Sequence, residues 1–509
     1  MPTDAPAART SPARREHPSA VVVVLCAASF TAMLDVFVVN VAFAAIGRSF
    51  PGSSLPDLSW ILNSYAIVYA ALLIPAGRLA DRHGRKRGFL AGLAVFTLAS
   101  AACAAAPSLW WLVAFRVLQA AGAAALTPAA LGLMLTALPP GRRAGAVKIW
   151  ATSSSLAGAL GPVAGGVLVQ ASWHWVFLIN VPVGLLALAA ALRLVPGDRA
   201  EPVVRAPDLT GAAVLAVAIG AAALGLVKGG EWDWTGARTL TAFGVAILGG
   251  AVIAARISRR PDPIIDPALF RVRTFVWANL TVLVFCTAFG ALFFSVVLWL
   301  EKAAGYSEIR TGLAIAPGPL MVPIFAAVGQ RAVRRVPVGL LVALGNLLVC
   351  AGALMLAAGA SDPRYLTRIL PGWIIIGVGI GLALPSMIGA ATADLPTHQA
   401  ATGSAVVNTC RQLGYVLGVA VLIAVLGSLD GSSRHLRTAF QHGWWAIALA
   451  AALGAVTALG ITPARTPAGR RGDPPGDSRR ADREATAPSN KKGASPRPSP
   501  PGPDLEYTD

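Results

Sequence analysis

Two charged residues sit where charge is expensive. Asp35 lies in the run Met33-Leu34-Asp35-Val36-Phe37-Val38-Val39-Asn40, and Arg116 in Val113-Ala114-Phe115-Arg116-Val117-Leu118-Gln119-Ala120. If these runs cross a membrane, each charge costs about 2.5–3.5 kcal/mol even on a lenient insertion scale, so both must face a protein interior. Gln119 follows Arg116 by three residues and Thr31 precedes Asp35 by four, so each shares a helical face with its charge. A carboxyl in such a place is pulled two ways: burial favours its neutral form, and a neighbouring guanidinium favours its ionised form. A group held between those pulls can take up and release a proton; a purely structural Asp–Arg pair is the competing reading. Arg411, in Asn408-Thr409-Cys410-Arg411-Gln412-Leu413-Gly414, is either the partner of an anion or acid, or a residue that snorkels to the interface.

The elements that must carry these residues are membrane helices. Of 509 residues, 55% are hydrophobic and 13% charged, against about 25% charged in soluble domains. That balance argues against a soluble enzyme or a nucleic-acid binder. A bilayer needs about 20 apolar residues per crossing. Fourteen suitable runs fall near 21–46, 59–79, 88–106, 109–137, 146–169, 175–195, 209–228, 238–256, 274–300, 311–330, 338–359, 366–390, 401–428 and 443–462. The first is too long for the apolar region of a cleaved signal peptide. With residues 1–19 placed in the cytoplasm, the segments on that side ahead of the C-terminal tail hold 22 Lys and Arg and the opposite loops hold nine. This is the positive-inside asymmetry, and it puts both termini in the cytoplasm. The net charge of +18 is therefore mostly topology and predicts no nucleic-acid partner.

The five cysteines all lie inside apolar runs without CxxC spacing, which predicts neither a disulfide nor a metal site. The chain has no HExxH and no Gly-Lys dipeptide, hence no Walker A loop. Glycines 377, 379 and 381 mimic a nucleotide loop but lie in an apolar helix with no strand before it. Residues 463–509 are rich in Pro, Gly, Ser and Arg and read as a disordered cytoplasmic tail.

Between the second and third runs stands Gly77-Arg78-Leu79-Ala80-Asp81-Arg82-His83-Gly84-Arg85-Lys86-Arg87, with five Lys and Arg and one acid in eleven positions. Its glycines permit a tight turn, and Asp81 can cap a helix or pair with a nearby Arg. The fifth run carries Gly158, Gly161, Pro162, Gly165 and Gly166, small residues that admit close helix approach and a proline that bends the chain. Trp173-His174-Trp175 follow it directly and read as an aromatic belt, ahead of Ile179-Asn180-Val181-Pro182. Residues 160–165 resemble residues 413–418 at an offset of 253, and the Gly77 loop has a degraded counterpart at Gly329. Two similar six-helix halves would then flank an inserted pair, and parallel repeats of this kind are a transporter signature. Phe289, Phe293, Phe294 and Trp299 suit either packing or an apolar pocket. Glu301 beside Lys302 reads as a loop ion pair of little energetic weight, although pointing into a cavity it would attract cations.

The ordered 77–87 loop resembles the G-x-L-a-D-r-x-G-r-k signature of the major facilitator superfamily. That resemblance implies a conformational latch built on Gly77, Asp81, Arg82, Gly84, Arg85 and Lys86. Arg116 lies in a stretch similar to the family's fourth-helix motif, whose arginine is associated with proton coupling. The Asp35 segment resembles the L-D-x-x-x-v-N-v-A pattern of fourteen-helix drug:proton antiporters of the QacA/EmrB type. Gly158-x-x-Gly161-Pro162-x-x-Gly165-Gly166 resembles the antiporter motif of exporters, which the family's uptake carriers usually lack. Residues 173–184 resemble a further segment of those exporters, with His174 where Arg is usual. Residues 60–65, 306–317 and 408–414 continue the likeness, which covers roughly residues 21–462. It departs at Val333, where the second latch would need an acid, and at Glu301, where Gln is common.

The sequence therefore predicts an all-α polytopic membrane protein of the major facilitator fold, with two six-helix bundles plus two inserted helices. The expected division is 1–19 tail, 20–200 first bundle, 201–260 inserted helices, 261–462 second bundle and 463–509 tail. The expected activity is export of amphipathic drugs or antibiotics across the cytoplasmic membrane by proton antiport, without enzymatic chemistry. Asp35 and Arg116 would couple protons, and Thr31, Asn40, Tyr65, Gln119, Phe289, Phe293 and Arg411 would line the substrate cavity. The expected partners are a small amphipathic substrate, protons and the lipid bilayer. The chain is expected to act as a monomer with no cofactor beyond the proton-motive force. An uptake symporter of the same fold and a non-transporting membrane scaffold are the alternatives; buried charges and a near-complete latch weigh against the scaffold.

Overall fold

A computed structural model describes residues 18–197, 208–259, 267–360, 364–395, 400–427 and 433–461. The expected tails, apart from the first residues of the first helix, lie outside them. The helices are α1 Pro18–Ser49, α2 Leu55–His83, α3 Arg85–Ala104, α4 Leu109–Ala137, α5 Pro140–Ala171, α6 Trp175–Leu178, α7 Asn180–Leu194 and α8 Leu209–Trp232. They continue with α9 Ala237–Arg259, α10 Arg273–Leu298, α11 Glu308–Ile315, α12 Pro317–Ala332, α13 Val338–Gly359, α14 Leu370–Ala393, α15 Ala400–Leu426 and α16 Ser433–Ala458. No strand occurs among the described residues.

Thirteen stretches are long and apolar enough to cross a membrane. The 32-residue α5 adds the fourteenth crossing expected at 146–169. Four crossings among the described residues depart from a plain α-helix, the twelfth by opening in a π turn, Tyr365–Ile369. The sixth breaks between α6 and α7 at Ile179, the tenth between α11 and α12 at Ala316, and the ninth ends in a π turn, Trp299–Ala303. The fourteenth helix begins at Ser433, ten residues before the expected start, because its charged opening turn (Arg434, His435, Arg437) carries no hydropathy signal.

Helix starts follow local chemistry. Ser54 and Asp57 form a reciprocal capping box with Pro56 in the first turn of α2, and Ser307 caps α11. Gly84 separates α2 from α3 at φ 100°, a left-handed conformation that only glycine adopts without strain. This turn lies within the 77–87 segment and marks the latch end of the molecule, opposite the far end.

The internal repeat is realised in packing. In the first group of helices α1 lies on α5, and in the second α10 lies on α15. The corresponding glycines make both contacts close: a Cβ on Gly161 would stand 2.5 Å from Phe37 Cβ, and one on its counterpart Gly414 would stand 2.6 Å from Cys286 Cβ. Likewise α3 meets α4 through Gly92 and Gly122, and α13 meets α14 through Gly345 and Gly379. The glycines at 377–381 are thus helix-packing residues: added Cβ atoms there would strike Gly318, Gly345 and Val322.

The inserted helices α8 and α9 pack on each other, and α8 also lies against α2 and α15, one from each group. At the far end Lys228 of α8 binds Asp57 of α2 at 2.9 Å. At the latch end Asp208 caps α8 through the Gly211 N–H at 2.9 Å and pairs with Arg256 of α9 at 2.6 Å. Burial opposes ionisation of Asp208, yet the Arg256 guanidinium, the Gly211 N–H and the Thr210 hydroxyl outweigh it and hold the carboxyl down at about 2. Because the folded value is depressed, the stability it contributes is complete above the ordinary carboxylate range near 4 and is lost only as pH falls toward about 2. Asp208→Asn is expected to weaken the α8–α9 junction by about 1–2 kcal/mol at pH 7. Hydrogen exchange at the start of α8 should report faster opening in the variant at pH 7, and no pH-dependent change in wild type between pH 5 and 8.

Candidate functional site

The two mid-membrane charges find each other. Arg116 of α4 donates from Nη1 to Asp35 Oδ2 of α1 at 2.5 Å, and both side chains are about 1% exposed. The same Nη1 donates to Gln119 Oε1 at 2.6 Å, and Arg116 Nε donates to the Ile61 carbonyl of α2 at 3.1 Å. Gln119 turns its Nε2 to Asp35 Oδ1 at 2.9 Å and to Ser100 Oγ of α3 at 2.8 Å. The guanidinium carbon sits 4.2 Å from the centroid of the Tyr65 ring, a cation–π contact that adds to its stabilisation away from water.

Asn180, the first residue of α7, donates from Nδ2 to Asp35 Oδ1 at 2.8 Å. Neither Asn180 nor Ser100 was expected at the site. A neutral polar residue hardly disturbs a hydropathy profile, and Asn180 lies 145 residues from Asp35. The signal was nonetheless present in the 173–184 segment, whose break at Ile179 brings Asn180 into the bundle. The carboxylate therefore accepts from Arg116, Gln119 and Asn180, drawn from two helices besides its own, in a place without water contact. Charge-assisted hydrogen bonds of this kind are about twice as strong as neutral ones.

Other expected site residues are placed differently. Thr31 Oγ1 donates to the Ala27 carbonyl at 2.9 Å and Asn40 Nδ2 to the Val36 carbonyl at 2.7 Å, so both bind their own helix and not Asp35. Phe289 and Phe293 belong to an aromatic seam that joins the two groups. Phe293 meets Phe37 of α1 at 5.5 Å edge to face, and Phe289 meets Tyr415 of α15 at 5.6 Å. Arg411 lies within α15 with its Nε buried and unpartnered. His174 stacks on Trp173 and shares a 2.6 Å hydrogen bond with the Ser172 hydroxyl, at the far end.

Glu301 corrects the sequence reading. It forms no ion pair with Lys302; it sits in the π turn after α10 with both carboxylate oxygens buried and unpartnered among the described residues. The helix continues past the point where hydropathy ends, which carries Glu301 inward and leaves Lys302 exposed.

At the latch end Asp81 accepts from Arg85 Nε at 2.6 Å, and Arg85 Nη1 reaches the Gly132 carbonyl of α4 at 3.5 Å. Lys86 donates to the carbonyls of Leu192 at 3.3 Å and Val195 at 2.6 Å, neutralising the carbonyl end of α7. Gly77 packs against Pro128 of α4, whereas Arg82 is exposed. At the far end the two groups meet directly. Arg48 of α1 pairs with Glu308 of α11. A Cβ on Gly166 of α5 would lie 2.6 Å from the Glu308 carbonyl oxygen, and one on Gly312 would lie 2.5 Å from that of Pro162. Gly158, Gly161 and Gly165 instead face α1.

Two similar groups of apolar crossings, the first enclosing a buried charge network, define a polytopic membrane protein, and its family makes it a transporter and not an enzyme. The chain belongs to the major facilitator superfamily, whose profile matches residues 25–419. It is 33% identical to the methylenomycin A resistance protein of Streptomyces coelicolor, over 87% of this chain and 93% of that one. It is also 33% identical to the cephamycin export protein of Amycolatopsis lactamdurans, over 89% and 93%. Among solved structures it superposes on a peptide transporter POT in complex with sulfate, with a TM-score of 0.65 and 19% identity over 87% of this chain and 94% of that one. At that identity the likeness is one of fold.

Proposed function

We propose that this chain exports small amphipathic drugs or antibiotics across the cytoplasmic membrane in exchange for protons, with Asp35 as the proton-carrying group. The observation that carries the reading is the buried Asp35 carboxylate, held by Arg116, Gln119 and Asn180 in the membrane interior. A permanent ion pair there would be a costly way to hold helices together, since apolar packing of equal volume does as well. A carboxyl that gains and loses a proton uses the same cost to move helices. Asn180 Oδ1 has no partner, so a turn of its amide offers an acceptor to protonated Asp35 while Arg116 keeps Gln119 and the Ile61 carbonyl.

The names of the relatives support this direction and substrate class: they are a resistance protein for methylenomycin A and an export protein for cephamycin. The latch end, with its basic loop, is cytoplasmic together with both termini, by charge asymmetry. The two groups then rock about a midplane cavity near Asp35 and Arg116, opening by turns to substrate inside and to protons outside. One charge crossing 100 mV supplies about 2.3 kcal/mol, enough for roughly a 50-fold concentration ratio.

The test is proton movement in inverted vesicles with an acid interior, challenged with the antibiotics named for the relatives and with lipophilic cations. Addition of a substrate should alkalinise the lumen as drug enters and protons leave. If no compound does so, and protons instead enter with substrate in right-side-out vesicles, the protein is a symporter and the export reading fails.

A further inference from the structure

Of the two arginines that lie within apolar crossings, Arg116 is fully buried and has an acid, whereas Arg411 is partly buried and has none. Arg116 is neutralised by Asp35. Arg411 makes no ion pair or hydrogen bond among the described residues, and its Nε is buried and unpartnered. It stands 11 residues into α15 from the latch end, about 16 Å at 1.5 Å per residue. A side chain cannot snorkel that far, and lipid headgroups cannot reach it. Its charge bears instead on Tyr69 of α2, Cys286 of α10 and Tyr415 of its own helix, none of which is a carboxylate.

The face of α15 that carries Arg411 is polar from Ser404 to Tyr415. Ser404, Asn408, Arg411 and Tyr415 follow at spacings of four, three and four, the positions that line one side of a helix. Ser404 is exposed, and Asn408 binds only the Ser404 carbonyl of its own helix. Gly418, three residues past Tyr415, ends the stripe by pressing on α10 together with Gly414, while Thr409 on another side of the helix donates to the Ala70 carbonyl of α2. A polar stripe on an apolar helix faces either the bundle interior or a water-filled path, and here it runs from the latch end to an uncompensated guanidinium. Beyond Arg411 stand flat apolar surfaces, Phe289 stacked on Phe293 and tilted against Tyr415, and Tyr65 stacked on Tyr69.

We propose that Arg411 is the anion-recognising subsite of the substrate cavity, so that the preferred substrates are aromatic or polycyclic acids whose carboxylate or enolate pairs with Arg411. This deepens the export reading and rests on it for the meaning of the word substrate, but the pairing itself is a binding property. The fork of Arg411 fits a carboxylate with two parallel hydrogen bonds, and the ring body of such an acid lies on Phe289 and Tyr415. The compound supplies the counter-charge that the helices leave out. In the outward-facing form the subsite releases it when water reaches the guanidinium.

Binding to the purified full-length protein separates this proposal from the direction of transport. The probes are 2-naphthoate, 9-anthracenecarboxylate and 1-pyrenebutyrate, each paired with its methyl ester, titrated by calorimetry into wild type, Arg411→Gln and Arg411→Lys. Wild type should bind the acids about tenfold or more tightly than the esters. Arg411→Gln should lose that preference while holding the esters as wild type does, and Arg411→Lys should keep the preference at reduced affinity. Equal binding of acid and ester by wild type, or a parallel loss of both in Arg411→Gln with no rescue by lysine, overturns the subsite. Acid binding that depends on Arg411 upholds it even if the vesicle assay shows no antiport, in which case only the export reading falls.

Discussion

Asp35→Asn should leave a protein that inserts in the membrane yet exchanges drug for protons at least about 100-fold more slowly than wild type. The substitution preserves shape and removes the charge that changes. Asp35 accepts from Arg116 at 2.5 Å, Gln119 at 2.9 Å and Asn180 at 2.8 Å, all buried. An asparagine can keep one or two of these contacts but cannot neutralise the guanidinium. Stripping one partner from a buried pair costs about 3–5 kcal/mol, because the other charge stays behind without a counter-ion. Loss of transport in the single variant could therefore be blamed on stability. The double variant Asp35→Asn with Arg116→Gln removes both charges and should recover most of the unfolding temperature lost by the single one. It should recover none of the proton movement. Thermal unfolding in detergent and luminal pH in inverted vesicles read the two quantities separately. If either variant still alkalinises an acid lumen on addition of substrate, Asp35 is a structural acid and the proton travels elsewhere.

The charged half of this site was readable before any coordinates, because charge in an apolar run is a large energetic anomaly. Asp35, Arg116 and, by its spacing, Gln119 could be assigned to one interior. Their neutral neighbours could not, beyond the presence of Asn180 in the 173–184 segment. Ser100 and Asn180 are cheap to bury once hydrogen-bonded, so nothing in composition distinguishes them from helix-packing residues. Thr31 shows the converse: it shares the face of Asp35 but spends its hydroxyl on the Ala27 carbonyl, the usual resting place for a threonine in a helix. The fourteen crossings were legible because hydropathy integrates over about 20 residues. Their breaks were not, since a single residue decides them, and the π turn at Trp299–Ala303 turned an expected loop acid, Glu301, into a buried one. The glycines of the fifth crossing were legible as close-packing residues, but their division of labour required the fold. Three of them face α1 inside one group of helices, whereas Gly166 faces α11 in the other.

That division makes Gly166 the residue at which packing and mechanism meet. Gly166→Val should abolish transport, with little change in expression or unfolding temperature, by preventing closure of the far end. The Glu308 carbonyl oxygen stands 2.6 Å from where a Cβ would be, and backbone cannot rotate aside as a side chain can. Overpacking of this kind costs about 1–3 kcal/mol, which shifts a balance between two conformations by roughly 5–150-fold. The strain falls between the two groups and not within either, so it penalises only the conformation that brings them together here. The ion pair across the same gap, Arg48 with Glu308, contributes far less, because Arg48 is 60% exposed and an exposed pair is worth about 0–1 kcal/mol. Glu308→Gln should therefore slow transport at most a few-fold, while Gly166→Val stops it. A cysteine placed at Phe43, buried at the far-end contact with Phe294, gives the conformational readout. In the Gly166→Val background it should react with a membrane-impermeant thiol reagent many times faster than in wild type. Slow labelling together with lost transport would show that the substitution damages the first group internally, and the far-end seam would then not be the moving contact.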